Sequence, residues 1–248
     1  MRNMPPTYRI LPVIENRSLG PYTYLRIEDP EMLLVARCGH FLMVGFSSSI
    51  DPFLPRPLSL FEVEENSFSI LVKVRGRGSD LLSKTREGEN LKILGPLGTP
   101  FNPPESGVLI AGGIGIAPLY YQSGWMKSGK LFYGTKKKEE LILTREMEER
   151  DFTVKTITQE NGGTVCDLVR MNKNDIEGEK IFICGPWDMI RALKEILGEF
   201  ATNAFVYLER RMGCGLGGCK SCAVKTNSGY KLVCQEGPLF PLSEVRFD

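Results

Sequence analysis

Across the first hundred residues, apolar positions come in short runs, at residues 8–13, 22–27, 39–44, 58–63, 68–74 and 90–94, broken by glycine, proline and polar clusters. Runs of this length, with no helical period except after Gly78, predict an antiparallel β-barrel or sandwich. Closure into a barrel would also hide the strand edges. After Pro103-Pro104 the pattern changes. Residues 108–111 form a continuous apolar strand, followed by a glycine turn and a helical segment to about residue 127. Further strands are predicted at 131–133, 152–157, 180–184 and 204–208, with helices near 139–148, 164–171 and 187–197. This alternation predicts a doubly wound parallel α/β sheet. The chain therefore divides into a β-barrel domain over 1–102, an α/β domain over 103–208 and a small C-terminal module over 209–248.

That last module has its own chemistry. Cysteines at 214, 219, 222 and 234 are spaced C-x4-C-x2-C-x11-C. The first three match the plant-type [2Fe-2S] pattern, with the fourth ligand arriving from further along the chain. Cys214, Cys219, Cys222 and Cys234 are therefore the candidate metal ligands. Gly213, Gly215, Gly217 and Gly218 let a tight loop turn and point its amides at sulfur. A structural four-cysteine zinc site is the competing reading, but it usually presents two C-x2-C pairs and only one exists here.

Three further segments suggest nucleotide ligands. In Arg56-Pro57-Leu58-Ser59, an extended run puts Arg56 and Leu58 on one face and Pro57 and Ser59 on the other; the arginine suits a phosphate and the serine a polar ring edge. An ordinary strand start with a surface arginine fits the same residues. The second segment runs from Lys73 and Val74 through Gly76, Gly78 and Ser79, where a strand ends and a helix opens. Its backbone amides could hold a diphosphate, or Ser79 or Asp80 could simply cap the helix. The third is the turn around Gly112, Gly113, Gly115 and Pro118, which reads G-x-G-x-x-P and would place a pyrophosphate at a helix start. Cys184, Gly185 and Pro186 end a strand at the carboxyl edge, where open α/β sheets bind ligands. No acidic residue follows the second strand of this unit to hold a ribose. Lys136, Lys137 and Lys138 stand there instead and fit a solvated charge run as well as a 2′-phosphate site. The choice between NAD and NADP stays open.

The totals narrow the field. The chain has 248 residues, 42% hydrophobic and 25% charged, which is ordinary globular composition. A formal charge of +1 argues against a nucleic-acid partner. The absence of a long apolar run argues against a membrane span, and the N-terminal residues lack a signal-peptide core, so a cytoplasmic location is expected. Cys38, Cys166 and Cys184, the three cysteines left over once the cluster is built, agree with a reducing compartment. The single histidine, His40, excludes a His-based triad and reads as a half-buried structural residue. No residue stands out as a catalytic acid or base.

The order R-P-L-S, G-R-G-S, G-P-L-G (Gly95 to Gly98), G-G-I-G-I-A-P-L and C-G-P-W-D-M resembles the ferredoxin reductase superfamily. The cysteine segment, preceded by Glu209 and Met212, looks like one branch of it, the electron-transfer subunits of NAD-dependent dihydroorotate dehydrogenase. The resemblance implies FAD in the barrel. Arg56 would hold the diphosphate, and Pro57, Leu58 and Ser59 would lie beside the isoalloxazine; many members place Tyr where Leu58 stands. Lys73, Val74, Gly76, Gly78 and Ser79 would line the diphosphate site, and Gly95 and Gly98 would close the pocket. Gly112, Gly113, Gly115, Pro118, Gly185 and Pro186 would face NAD(H), with Cys184 near the nicotinamide. The implied activity is electron transfer between NAD and a flavin-containing dihydroorotate dehydrogenase catalytic subunit in pyrimidine biosynthesis, within a heterotetramer of two of each chain. A flavin and [2Fe-2S] subunit of a hydrogenase, sulfide dehydrogenase or ferredoxin-NADP transhydrogenase would carry similar cofactors. A non-catalytic zinc module on a nucleotide-sensing domain is the third reading.

Overall fold

The computed structural model describes residues 5–47 and 51–247. They form two compact units: one runs up to Phe101 and takes in Glu209–Ala223 and Leu232–Pro238; the other comprises Asn102–Leu208, Val224–Lys231 and the segment from Leu239 onward.

The first unit is a curled antiparallel sheet of seven strands: β1 (Thr7–Leu19), β2 (Tyr22–Glu28), β3 (Phe41–Phe46), β4 (Arg56–Ser59), β5 (Glu62–Glu64), β6 (Ser67–Val72) and β7 (Asn90–Leu97). Their order is β4-β3-β7-β1-β2-β6-β5, and β4 at one end comes back beside β6. β1 runs further than its apolar stretch because it serves two partners. Residues 7–12 pair with β7, and beyond an irregularity between Val13 and Glu15 the strand continues along β2. Such irregularities bend a strand and increase its twist, which is what a curling sheet needs. The apolar run 58–63 divides into β4 and β5, since Leu60 and Phe61 turn inward as fully buried core residues between them. Two short helices, α1 (Met32–Val35) and α2 (Arg77–Ser83), lie between these strands along the chain.

The second unit contains a six-stranded sheet: β8 (Val108–Gly112), β9 (Gly129–Thr135), β10 (Phe152–Thr158), β11 (Ile181–Cys184), β12 (Ala204–Tyr207) and β15 (Leu239–Pro241). Its order is β10-β9-β8-β11-β12-β15, parallel throughout except for β15, which pairs antiparallel with β12. Every residue of β8 and β11 is buried, as expected for central strands covered on both faces. The covering helices are α3 (Ile116–Ser123), α4 (Thr144–Glu148), α5 (Val165–Met171) and α6 (Trp187–Leu197). Along the chain, the hairpin of β13 (Ala223–Thr226) and β14 (Gly229–Leu232) is followed by α7 (Val233–Glu236), which belongs to the first unit, and then by β15. Among the described residues no helix is long and apolar enough to cross a membrane.

Candidate functional site

The cysteine loop belongs to the barrel unit and lies on its sheet. Gly215, at φ +71°, sits so close to the strands that a Cβ there would be 2.7 Å from Met43 Cγ on β3 and 2.9 Å from Leu97 Cδ1 on β7. Only glycine combines that left-handed backbone with so close an approach. Two further contacts fix the loop. Gln235 donates from Nε2 to the Leu216 carbonyl at 3.0 Å, and Thr99 bonds the segment after the last cysteine twice, N–H to Gly237 O at 2.6 Å and Oγ1 to Gln235 O at 2.7 Å.

The four thiols form two pairs. Cys222 and Cys234 are both buried, with their sulfurs 3.3 Å apart. Cys214 and Cys219 interact on the outer side of the loop, where Cys219 is exposed. The donor set is four thiolates in C-x4-C-x2-C-x11-C spacing, with a single C-x2-C pair, which fits a [2Fe-2S] cluster better than a structural zinc site.

The loop also presents donors to sulfur. Cys214 Sγ accepts N–H bonds from Leu216 at 3.3 Å and Cys219 at 3.4 Å. Ser221 Oγ lies 3.1 Å from Cys219 Sγ, and that bond, together with the Ser221 backbone N–H and hydrogen bonds from Cys214, brings the Cys219 thiol down to about 6. Burial, with help from Cys222, pushes Cys234 up to about 12. Metal loading therefore releases protons. Met212 is buried at the start of the loop. Crowding by protein atoms raises the Glu209 carboxyl above its ordinary range although its side chain retains solvent-accessible surface, and Arg75 pulls it back down.

The candidate flavin residues lie in the same unit. β4 pairs with β3 in the register Phe41↔Ser59, Leu42↔Leu58, Met43↔Pro57, Val44↔Arg56. The strand carrying Arg56, Pro57, Leu58 and Ser59 is therefore bonded to the strand on which the cysteine loop rests. The guanidinium of Arg56 donates to the Leu54 carbonyl and lies directly over Gly78, where a Cβ would collide with it. Two motifs 22 positions apart thus meet at one point. Ser79 Oγ accepts the N–H groups of Arg75 at 2.8 Å and Gly76 at 3.1 Å and shapes the turn into α2. Lys73 lies 5.5 Å over the Tyr22 ring and Val74 is half exposed. Gly98, at φ +88°, approaches Gly237 O and Pro238, while Gly95 backs on Leu42.

In the α/β unit the glycine turn and the C-G-P segment come together. A Cβ on Gly112 would meet Met189 and Pro186, and one on Gly115 would run into the backbone of Cys184 and Gly185. Gly113 to Gly115 form a 3-10 turn before α3 begins at Ile116, which places Pro118 in its first turn. Cys184 is 1% exposed, so Gly185 and Pro186 offer the more accessible edge. Lys136, Lys137 and Lys138 are exposed; Lys137 pairs with Glu139 at 3.5 Å.

Sequence reading passed over Ser221, Gln235 and Thr99. A serine directly before a candidate ligand cysteine was the one available signal; the other two act through backbone contacts that only the folded chain reveals.

His40 and the other thiols take structural positions. His40 Nδ1 accepts the Arg37 N–H at 3.1 Å, and burial with the nearby Arg37 charge lowers its pKa to about 4. Cys38 and Cys166 are buried and their thiols are raised by burial, Cys38 to about 12.

Residues 209–246 match the iron-sulfur cluster binding domain of dihydroorotate dehydrogenase B. The dihydroorotate dehydrogenase B (NAD(+)) electron transfer subunit of Caldanaerobacter subterraneus subsp. tengcongensis is 37% identical over 84% of this chain and 87% of its own length. The subunit of the same name from Bacillus pumilus is 30% identical over 95% of this chain and 96% of its own. Among solved structures, NADH-dependent reduced ferredoxin-NADP oxidoreductase is similar with a TM-score of 0.81 and 25% identity, covering 96% of this chain and 90% of that one. A ferredoxin NADP+ reductase from Neisseria gonorrhoeae shares the fold, with a TM-score of 0.63 and 18% identity over 78% of this chain and 91% of its own. The chain belongs to the family of electron transfer subunits of NAD(+)-dependent dihydroorotate dehydrogenase B, NAD-linked oxidoreductases built on the ferredoxin reductase fold.

Proposed function

We propose that this chain carries electrons from a flavin-containing dihydroorotate dehydrogenase catalytic subunit to NAD+, in a cytoplasmic heterotetramer of two of each chain. The observation that supports this most directly is the shared support in the barrel unit: the cysteine loop rests on β3 and β7, and β3 is hydrogen-bonded to the Arg56–Ser59 strand. The candidate ligands for a cluster and for a flavin thus share one sheet.

In this reading residues 1–102 hold FAD, 103–208 hold NAD(H) and 209–248 hold the cluster. Arg56, seated on Gly78, binds the flavin diphosphate; Lys73, Val74, Gly76 and Ser79 shape the turn beside it; Pro57, Leu58 and Ser59 flank the ring, and Gly95 and Gly98 bound the pocket. Gly112, Gly113, Gly115 and Pro118, with Cys184, Gly185 and Pro186, admit the nicotinamide nucleotide. Cys214, Cys219, Cys222 and Cys234 ligate the irons. When bound, the flavin couples two-electron hydride exchange with NAD(H) to the single-electron exchange of an iron-sulfur cluster. The protein aligns and insulates these groups and sets their potentials; no side chain need act as acid or base.

Co-expression with the catalytic subunit tests the proposal. The purified complex is expected to reduce NAD+ with dihydroorotate, while this chain alone oxidises no dihydroorotate. Oxidation by the isolated chain would overturn it. The whole-chain likeness to reduced ferredoxin-NADP oxidoreductase favours a second reading, a transhydrogenase subunit. NADP+ reduction by reduced ferredoxin, with no response to dihydroorotate, would select that one.

A further inference from the structure

We propose that the Ser221 side-chain hydroxyl is a tuning donor to the Cys219 ligand, raising the cluster's reduction potential. The inference rests on the reading of Cys214, Cys219, Cys222 and Cys234 as cluster ligands.

The direction of the bond follows from its surroundings. Ser221 Oγ lies 3.1 Å from Cys219 Sγ and accepts the N–H of Gly213, also at 3.1 Å. With its oxygen engaged by that amide, its own proton is free to point elsewhere. A ligating cysteine is a thiolate and can only accept. The hydroxyl therefore donates to sulfur. The same residue also offers Cys219 its backbone N–H, so one residue supplies two donors to one ligand. Cys214 accepts backbone N–H groups from Leu216 and Cys219, and Cys234 one from Gly217.

Reduction adds negative charge to the cluster and its thiolates. A donor to sulfur binds the reduced form more strongly and shifts the one-electron equilibrium toward it. Ser221 is exposed, so Ser221→Ala removes the donor without opening a buried cavity. Its contact with Gly213 adds a loop-positioning role that a hydroxyl-bearing substitute keeps.

The test is an anaerobic redox titration of the loaded chain, followed by EPR of the reduced cluster, with iron and sulfide analysis on each sample. Ser221→Ala is expected to keep its iron and to weaken cluster reduction about tenfold, which for one electron is about 59 mV more negative. Ser221→Thr and Ser221→Val have the same shape and differ in the hydroxyl. Thr should stay near the parent protein and Val should follow Ala. Equal midpoints for Thr and Val, or an Ala variant unchanged from the parent, would overturn the assignment. Loss of iron from Ala and Val alike would also overturn it, making Ser221 an assembly residue. A chain that never assembles a cluster would instead refute the ligand reading beneath it.

Discussion

Gly78 and Arg56 give the sharpest prediction about the flavin site. A methyl group at Gly78 would fall on the Nε, Cζ and Nη2 atoms of Arg56. Those atoms end a flexible side chain, and Gly78 does not adopt the left-handed backbone, so Gly78→Ala can be accommodated by moving the guanidinium aside. Alanine also favours helix over glycine by about 1 kcal/mol, so the stability of the flavin-free chain should change by no more than about that amount. Binding should suffer. A hydrogen bond to a charged group contributes about 1.5–3 kcal/mol, so displacing Arg56 should weaken FAD binding roughly 10- to 150-fold, at 1.4 kcal/mol per tenfold. Titration of the deflavinated chain with FAD, read by flavin fluorescence, measures this directly, with thermal unfolding as the control. The two residues should act as one unit: Arg56→Ala should cost a similar amount, and Gly78→Ala added to it almost nothing further. Additive losses, or a Gly78→Ala chain that binds FAD within twofold of the parent, would refute the reasoning.

Other perturbations follow from the same geometry. Gly215→Ala places a side chain at φ +71° and against Met43 and Leu97; the left-handed backbone alone costs about 1–2 kcal/mol, and iron content after reconstitution should fall along with the melting temperature. Gly115→Ala drives a Cβ into the Cys184 and Gly185 backbone, which cannot yield as a side chain can. It should cost about 1–3 kcal/mol in stability and raise the KM for NADH while leaving bound iron unchanged. His40 has its pKa lowered to about 4, so the unfolded chain binds the extra proton between that value and the ordinary one of 6.5. Its contribution is complete above pH 6.5 and is lost as pH falls toward 4; urea unfolding across that range should show a decline that His40→Gln flattens.

Much of the architecture could be read from the pattern of residues. Trp187–Leu197 is helical over the range its apolar spacing predicted, and β8 to β12 fall where the buried runs lie. The divergences have physical causes. The stretch from 58 to 63 looked like one strand, but Leu60 and Phe61 are held by the core between two short strands, so burial overrode local continuity. β15 is three residues flanked by Pro238 and ending in Pro241; no alternation announces it, and its place is set by pairing with β12. The glycine-rich cysteine loop was legible as a segment of the iron-sulfur cluster binding domain matched over residues 209–246. Of Gly213, Gly215, Gly217 and Gly218, only Gly215 and Gly217 use the left-handed region, and Lys220 adopts it as well. That Arg56 rests on Gly78 was not legible at all, because the contact joins distant motifs through a curled sheet.

Anaerobic addition of NADH to the purified chain is the decisive test of whether nicotinamide, flavin and cluster work as a relay in this one chain. Bleaching of flavin and iron-sulfur absorption, with the EPR signal of a reduced [2Fe-2S] cluster, is the predicted result. A colourless protein containing stoichiometric zinc, or a fully loaded one in which NADH reduces neither centre, would contradict it.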